Sequence, residues 1–208
     1  NAVLTGTILR GADLTNANLH NTSLLDADTT NAIIRNSMAD GIKLSSKDIS
    51  GIDLTGISLT GVDLSGKDLS YTILTNVDLS GKDLTGTNLH GAYIYGTILK
   101  GADLSYATLS YAYLTGKDLT GTILRGADLT NANLSYQDLS DNDLTEAILI
   151  GADLSNTNLT GTDLSGMDLT GANLSDAVLT GTILRESDLS YANLSYQDLS
   201  GKDLTGTI

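Results

Sequence analysis

The side chains that could do chemistry in this 208-residue chain are few in kind and regular in spacing. Its two histidines, His20 and His90, lie 70 positions apart. A metal site or a Ser-His-Asp triad needs its members within bonding reach of one another, and nothing brings these two together. Serine, threonine and aspartate are everywhere, so apparent triad members are a by-product of repetition. With no cysteine, thiolate chemistry and disulfides are excluded and the redox compartment is left open. Aspartates recur at 20-residue intervals, as in Asp63, Asp83 and Asp103, or Asp28, Asp48 and Asp68. Such ladders could attract calcium, but calcium takes about six to eight oxygen ligands and a single carboxylate per level supplies too few. No catalytic residue, metal site or cofactor is expected.

What positions these groups is a period of five. Residues 116–140, GKDLTGTILRGADLTNANLSYQDLS, place leucines at 119, 124, 129, 134 and 139. Neither a helix nor a flat strand has that period. From Leu4 to Leu204 there are 41 such centres, of which 36 are Leu and three are Ile. The exceptions, Thr29 and Ala39, both fall in residues 21–40, the least regular stretch. The place after the centre is Ser or Thr in 30 of 41 cases, and the place before it is Asp or Asn in 25 of 42. A fixed short period marks a solenoid whose units stack only on their neighbours. The large centre and the small residue two before it would face inward. Asp/Asn and Ser/Thr would face water and fasten the corners through side-chain to backbone bonds, with Gly where the backbone angle demands it.

Read in tandem, Ala12-Asp13-Leu14, Ala17-Asn18-Leu19 and Ala152-Asp153-Leu154 resemble the A(D/N)LXX units of pentapeptide repeat proteins. The resemblance covers essentially the whole chain. It implies an all-β fold, a right-handed quadrilateral parallel β-helix with four pentapeptides per coil, hence about ten coils in one domain over residues 1–208. Residues 121–140 and 181–200 match at 16 of 20 places and lie 60 apart, three whole coils. At ~4.8 Å per level the rod would be roughly 50 Å long. The absence of proline suits a ladder that needs its backbone N–H groups. Polar residues interrupt every apolar run, so no membrane insertion is expected, and NAVLTG does not read as a signal peptide. Neither end carries a capping segment, which suggests a fragment, a processed chain, or an end-to-end homodimer through uncapped termini.

One departure from the family pattern is chemical. The small inward place holds Lys47, Lys67, Lys82, Lys117 and Lys202, and also Gln137 and Gln197, each followed by Asp. Burying an unpaired ammonium is costly. These side chains are therefore expected to turn out at the corner or to snorkel along it, with the neighbouring Asp offsetting the charge.

Two features rise above the repeat. Twenty-residue stacking gathers Tyr71, Ile73, Tyr93, Tyr95, Tyr111 and Tyr113 on one face, a candidate protein-binding patch. Charge is also polarised along the chain. Residues 1–125 carry a net −3 and residues 126–208 a net −11. Asp128, Asp138, Asp141, Asp143, Glu146, Asp153, Asp163, Asp168 and Asp176 lie in a stretch without Lys or Arg. Their density, one charge per ~1.6 Å of axis, is close to that of duplex DNA at about one per 1.7 Å. Some pentapeptide repeat proteins mimic DNA on type II topoisomerases, so the resemblance makes that an alternative to an unidentified protein partner. A structural or cell-surface spacer is a third reading. Direct nucleic-acid binding is not expected of a chain at −14 with no basic patch.

Overall fold

The computed structural model describes residues 3–19, 21–24, 27–37 and 49–208. Its parallel β-bridges all join residues 20 apart, as in Tyr113↔Asn133↔Asp153↔Asn173↔Asn193. The chain therefore winds as a parallel β-helix of 20-residue coils.

The unit centred on Leu134 shows why five residues suffice. Ala132 and Leu134 point inward and are fully buried, while Asn133 between them faces out. The Leu134 N–H donates to the Asp153 carbonyl at 2.8 Å, and the Asn133 N–H to the Ala112 carbonyl at 2.9 Å. One side is thus bonded to the coils on both sides of it. Ser135 and Tyr136 make the corner, closed by the Gln137 N–H on the Leu134 carbonyl at 3.2 Å. The second corner residue takes a left-handed backbone, φ 61° at Tyr136. All 21 glycines among the described residues occupy this same place in the repeat, with φ of 60–73°. An L side chain pays for that conformation in steric strain, so glycine is common there.

Stacked leucines fill the interior: Leu64, Leu84, Leu104 and Leu124 in one column are all completely buried. Thr29, an exceptional centre, is buried as well, and the coil holding it keeps its register through Asp13↔Ile33↔Asp53. Ala39 lies outside the described residues.

Lys82, Lys117 and Lys202 snorkel along the corner, and their ammonium groups bond main-chain carbonyls rather than the neighbouring aspartates. The Lys82 ammonium reaches back across the coil boundary to the Leu59 and Val62 carbonyls, at 2.6 and 3.1 Å. Lys117 donates to the Ile94 carbonyl, and Lys202 to the carbonyls of Leu179 and Thr182. Gln137 and Gln197 do the same to Leu114 and Leu174. Each acceptor sits 23 or 20 residues earlier, at the corner one coil before. Carbonyl oxygens have a second lone pair to offer, so a half-buried amine is satisfied without a carboxylate. Burial lowers the Lys117 pKa. Lys67 is likewise half-buried, and Lys47 lies outside the described residues.

Long side chains stand at several inward places that in other coils hold alanine or threonine. Among the described backbone hydrogen bonds, none joins residues 57–61 to 76–81, 91–96 to 111–116, 117–121 to 137–141, 142–146 to 162–166, or 177–181 to 196–201. The third and fourth of these precede Asn142 and Met167; the other three precede Lys82, Lys117 and Lys202, and each of those is a groove, of about 580, 590 and 720 Å³ respectively.

Candidate functional site

The outward aspartates are corner fasteners. The Thr85 N–H donates to Asp83 Oδ1 at 2.9 Å, and Ser105 donates to Asp103 Oδ1 through both N–H and hydroxyl, at 2.9 and 2.6 Å. The Thr85 hydroxyl and then its amide hold the Asp83 carboxyl below its ordinary pKa, although Asp63 one coil away pushes it up. A short hydrogen bond to the ionised form outweighs a like charge across a solvated gap. Asparagine relieves other columns, with the Asn158 amide on Asp138 at 2.9 Å and the Asn173 amide on Asp153 at 3.0 Å. The Asp28, Asp48 and Asp68 ladder includes Asp48, outside the described residues. Among the described residues no cluster of three or more His, Asp or Glu could hold a metal ion.

Lowered carboxyl pKa values recur at Asp13, Asp28, Asp63, Asp138, Asp163 and Asp203. The Thr30 hydroxyl, helped by Arg10, takes Asp28 to about 2 from an ordinary 3.8. A folded-state value below the unfolded one means stability that is fully present above 3.8 and is lost as pH falls toward about 2. Protonation also relieves the repulsion of a −14 chain, but that effect is screened within a Debye length of ~8 Å in physiological salt, whereas the corner bonds are not. The melting temperature, followed by circular dichroism, should fall steadily below about pH 4. A flat profile down to pH 2 would contradict it.

The tyrosine face is apolar and carries little charge. Tyr93, Tyr95, Tyr111 and Tyr113 line the groove of about 590 Å³, together with Gly91, Ala92 and Lys117. All four rings are exposed, Tyr95 the most at 81%. Twenty-residue stacking predicts Tyr93 and Tyr113 as bridged neighbours, and here the structure differs. Ile73 bridges to Tyr93 and Tyr113 to Asn133, but the ladder between the two tyrosines is open. The gap is followed by Lys117, whose ammonium reaches across it to the Ile94 carbonyl.

Tyr71 borders the patch in another way. Its ring meets His90 edge-on at 5.5 Å, and His90 meets Tyr111 edge-on at 6.1 Å. His90 Nδ1 also lies 2.9 Å from the Ser110 hydroxyl. Dismissed as a ligand, His90 is a spacer between two aromatic corners. Its register, one coil before Ser110 and beside Tyr71 and Tyr111, was readable from the 20-residue count. Gly91, with φ +63°, is required below Tyr71, because a Cβ there would stand 2.7 Å from the ring.

The nine acids do not converge. Asp143 and Asp163 share one outward column, Asp128 and Asp168 a second, Asp153 and Asp138 a third and fourth, and Asp141, Glu146 and Asp176 occupy corners. Glu146 is paired with Arg125 at 2.8 Å and accepts from the Tyr106 hydroxyl at 3.3 Å.

Five-residue units bonded 20 apart around a leucine interior define a parallel β-solenoid. A family model for pentapeptide repeats matches in eight copies over residues 1–36, 48–81, 68–101, 102–135 and 138–176, and the chain belongs to that family. It is similar to HetL, a pentapeptide repeat protein involved in heterocyst differentiation regulation from the cyanobacterium Nostoc sp. strain PCC 7120. The identity is 30% over 91% of this chain and 87% of that one, with a TM-score of 0.33. A trypsin-treated form of QnrB1, a plasmid-mediated fluoroquinolone resistance protein, is 18% identical over 99% of this chain and 90% of its own, with a TM-score of 0.45. No curated protein matches the chain significantly.

Proposed function

We propose that this protein is a non-catalytic β-solenoid that presents a rigid surface to a protein partner, with Tyr71, Ile73, Tyr93, Tyr95, Tyr111 and Tyr113 as the contact. In this reading residues 1–208 form one right-handed, four-sided coil of about ten turns, supported by four corners in each 20-residue winding. The observation that carries the functional part is the groove of exposed tyrosines on an otherwise acidic chain. Contiguous exposed aromatic area marks an interface more often than ornament, and tyrosine is favoured in binding hot spots. Acids spread over four columns and the corners, with Glu146 at a corner neutralised by Arg125, offer no single face for DNA mimicry. A spacer has no use for the tyrosine cluster.

Replacing both rings, Tyr93→Ser with Tyr113→Ser, should leave the circular dichroism spectrum and melting temperature nearly unchanged, because both side chains are exposed. Capture of a partner from source-cell extract should fall by roughly tenfold or more, the loss of one interfacial anchor. Undiminished capture by the double variant would remove the tyrosine face as the contact.

A further inference from the structure

We propose that the groove between the 91–96 and 111–116 sides receives an extended, uncharged peptide strand, which adds main-chain hydrogen bonds to the ladder that Lys117 holds open. This rests on the protein-binding reading and names the chemistry of the partner.

The first observation is the backbone. Elsewhere on this face the pairing is complete, with the Leu74 N–H on the Tyr93 carbonyl at 2.9 Å and the Leu114 N–H on the Asn133 carbonyl at 2.8 Å. Between them, the Ile94 and Tyr113 N–H groups make no backbone hydrogen bond. Buried or half-buried peptide groups are seldom left unpaired, and an open row of them is a template for another strand. Strand addition draws its affinity from main-chain bonds and its specificity from side-chain pockets at alternate positions.

The second observation is the lining. Four tyrosines flank the opening, whereas the grooves at Lys82 and Lys202 are bordered by aspartates, Asp78 in one and Asp176, Asp198 and Asp203 in the other. The single charge at the tyrosine groove, Lys117, has its ammonium committed to the Ile94 carbonyl. An acidic or basic ligand would find no counter-charge there. A neutral strand with apolar and hydroxyl side chains would find rings to pack against. Lys117 itself is a positioning residue: it keeps the coils apart and touches no ligand.

Binding can be read from the protein's own fluorescence, because it has nine tyrosines and no tryptophan. The probe is a capped (Thr-Val)3-Thr peptide, compared with the same peptide carrying N-methyl groups on alternate amides and with decaproline. The expected result is saturable binding of the first probe only. Lys117→Ala should weaken it by roughly tenfold or more by letting the ladder close, while Lys82→Ala leaves it unchanged. Equal binding of the N-methylated peptide or decaproline, binding that survives Lys117→Ala, or no binding of any probe would overturn the proposal. If the probe fails while the Tyr93→Ser, Tyr113→Ser protein still loses its cellular partner, strand capture falls and the tyrosine surface stands. If that variant keeps its partner, both fall.

Discussion

Leu104→Ala is expected to destabilise the protein by about 2–5 kcal/mol, the range for a buried leucine whose cavity cannot collapse. Leu104 is completely buried, with Leu84 and Leu124 one coil to either side of it and equally buried. Ala102 and Ala107, its neighbours in the same coil, are too small to fill the space. The backbone cannot follow inward either, because the Leu104 N–H is bonded to the Ile123 carbonyl at 2.9 Å. In an array where units touch only their neighbours, a central defect weakens the coupling of both halves. The matching control is Ile123→Ala. That residue bridges to Asp103 but faces water, 40% exposed, and should cost less than ~1 kcal/mol. Urea unfolding of the two variants decides the matter. Near-equal midpoints would mean that the leucine column does not carry the stability.

The winding was legible because it needs only counting. A strict period of five with alternating large and small apolar residues forces an inside and an outside, and Leu64, Leu84 and Leu104 stack as the count requires. The corner chemistry was legible too, since Asp or Asn two residues before a Ser or Thr N–H is a local bond that owes nothing to the rest of the fold. The lysines were legible only in part. The cost of burying an ammonium argued for turning out or snorkelling along the corner beside the neighbouring Asp, but the partner found is the carbonyl one coil back, whose presence depends on three-dimensional register. The open ladder between Tyr93 and Tyr113 is hidden by the same dependence.

Tyrosine at the corner was similarly hidden. Tyr71 and Tyr106 take φ of 57° and 58°, angles that β-propensity would assign to glycine or asparagine. Each ring lies over a glycine corner one coil on, at Gly91 and Gly126. Covering that backbone offsets a left-handed strain of ~1–2 kcal/mol. The pairing is between residues 20 apart, so no local pattern announces it.

The second large effect is expected at the pair formed by Arg35 and Asp53. The Asp53 side chain is only 6% exposed and Arg35 Nε stands 2.5 Å from its Oδ2. Burial pushes the Asp53 carboxyl up, but the Thr55 hydroxyl and amide and the Arg35 guanidinium together hold it below the ordinary value. Arg35→Ala leaves one oxygen fastened by Thr55, at 2.6 and 3.0 Å, and strands the other. Stranding a buried charged acceptor costs about 1–3 kcal/mol. The half-exposed position of Arg35 places the loss toward the lower part of that range. The carboxyl should then titrate at higher pH, visible by NMR. Asp53 lies between Ile33 and Ile73 in its column, bridged to both. Adding Asp53→Ile to Arg35→Ala therefore removes the stranded charge and completes an apolar stack of three. It also gives up the Thr55 corner bond, worth about 1 kcal/mol. Replacing a buried ion pair by packed apolar groups is commonly neutral or better, so the double variant should be at least as stable as Arg35→Ala alone. If Arg35→Ala is silent, the pair carries no stability. If the double variant is the weaker of the two, the corner bond outweighs the charge it leaves behind.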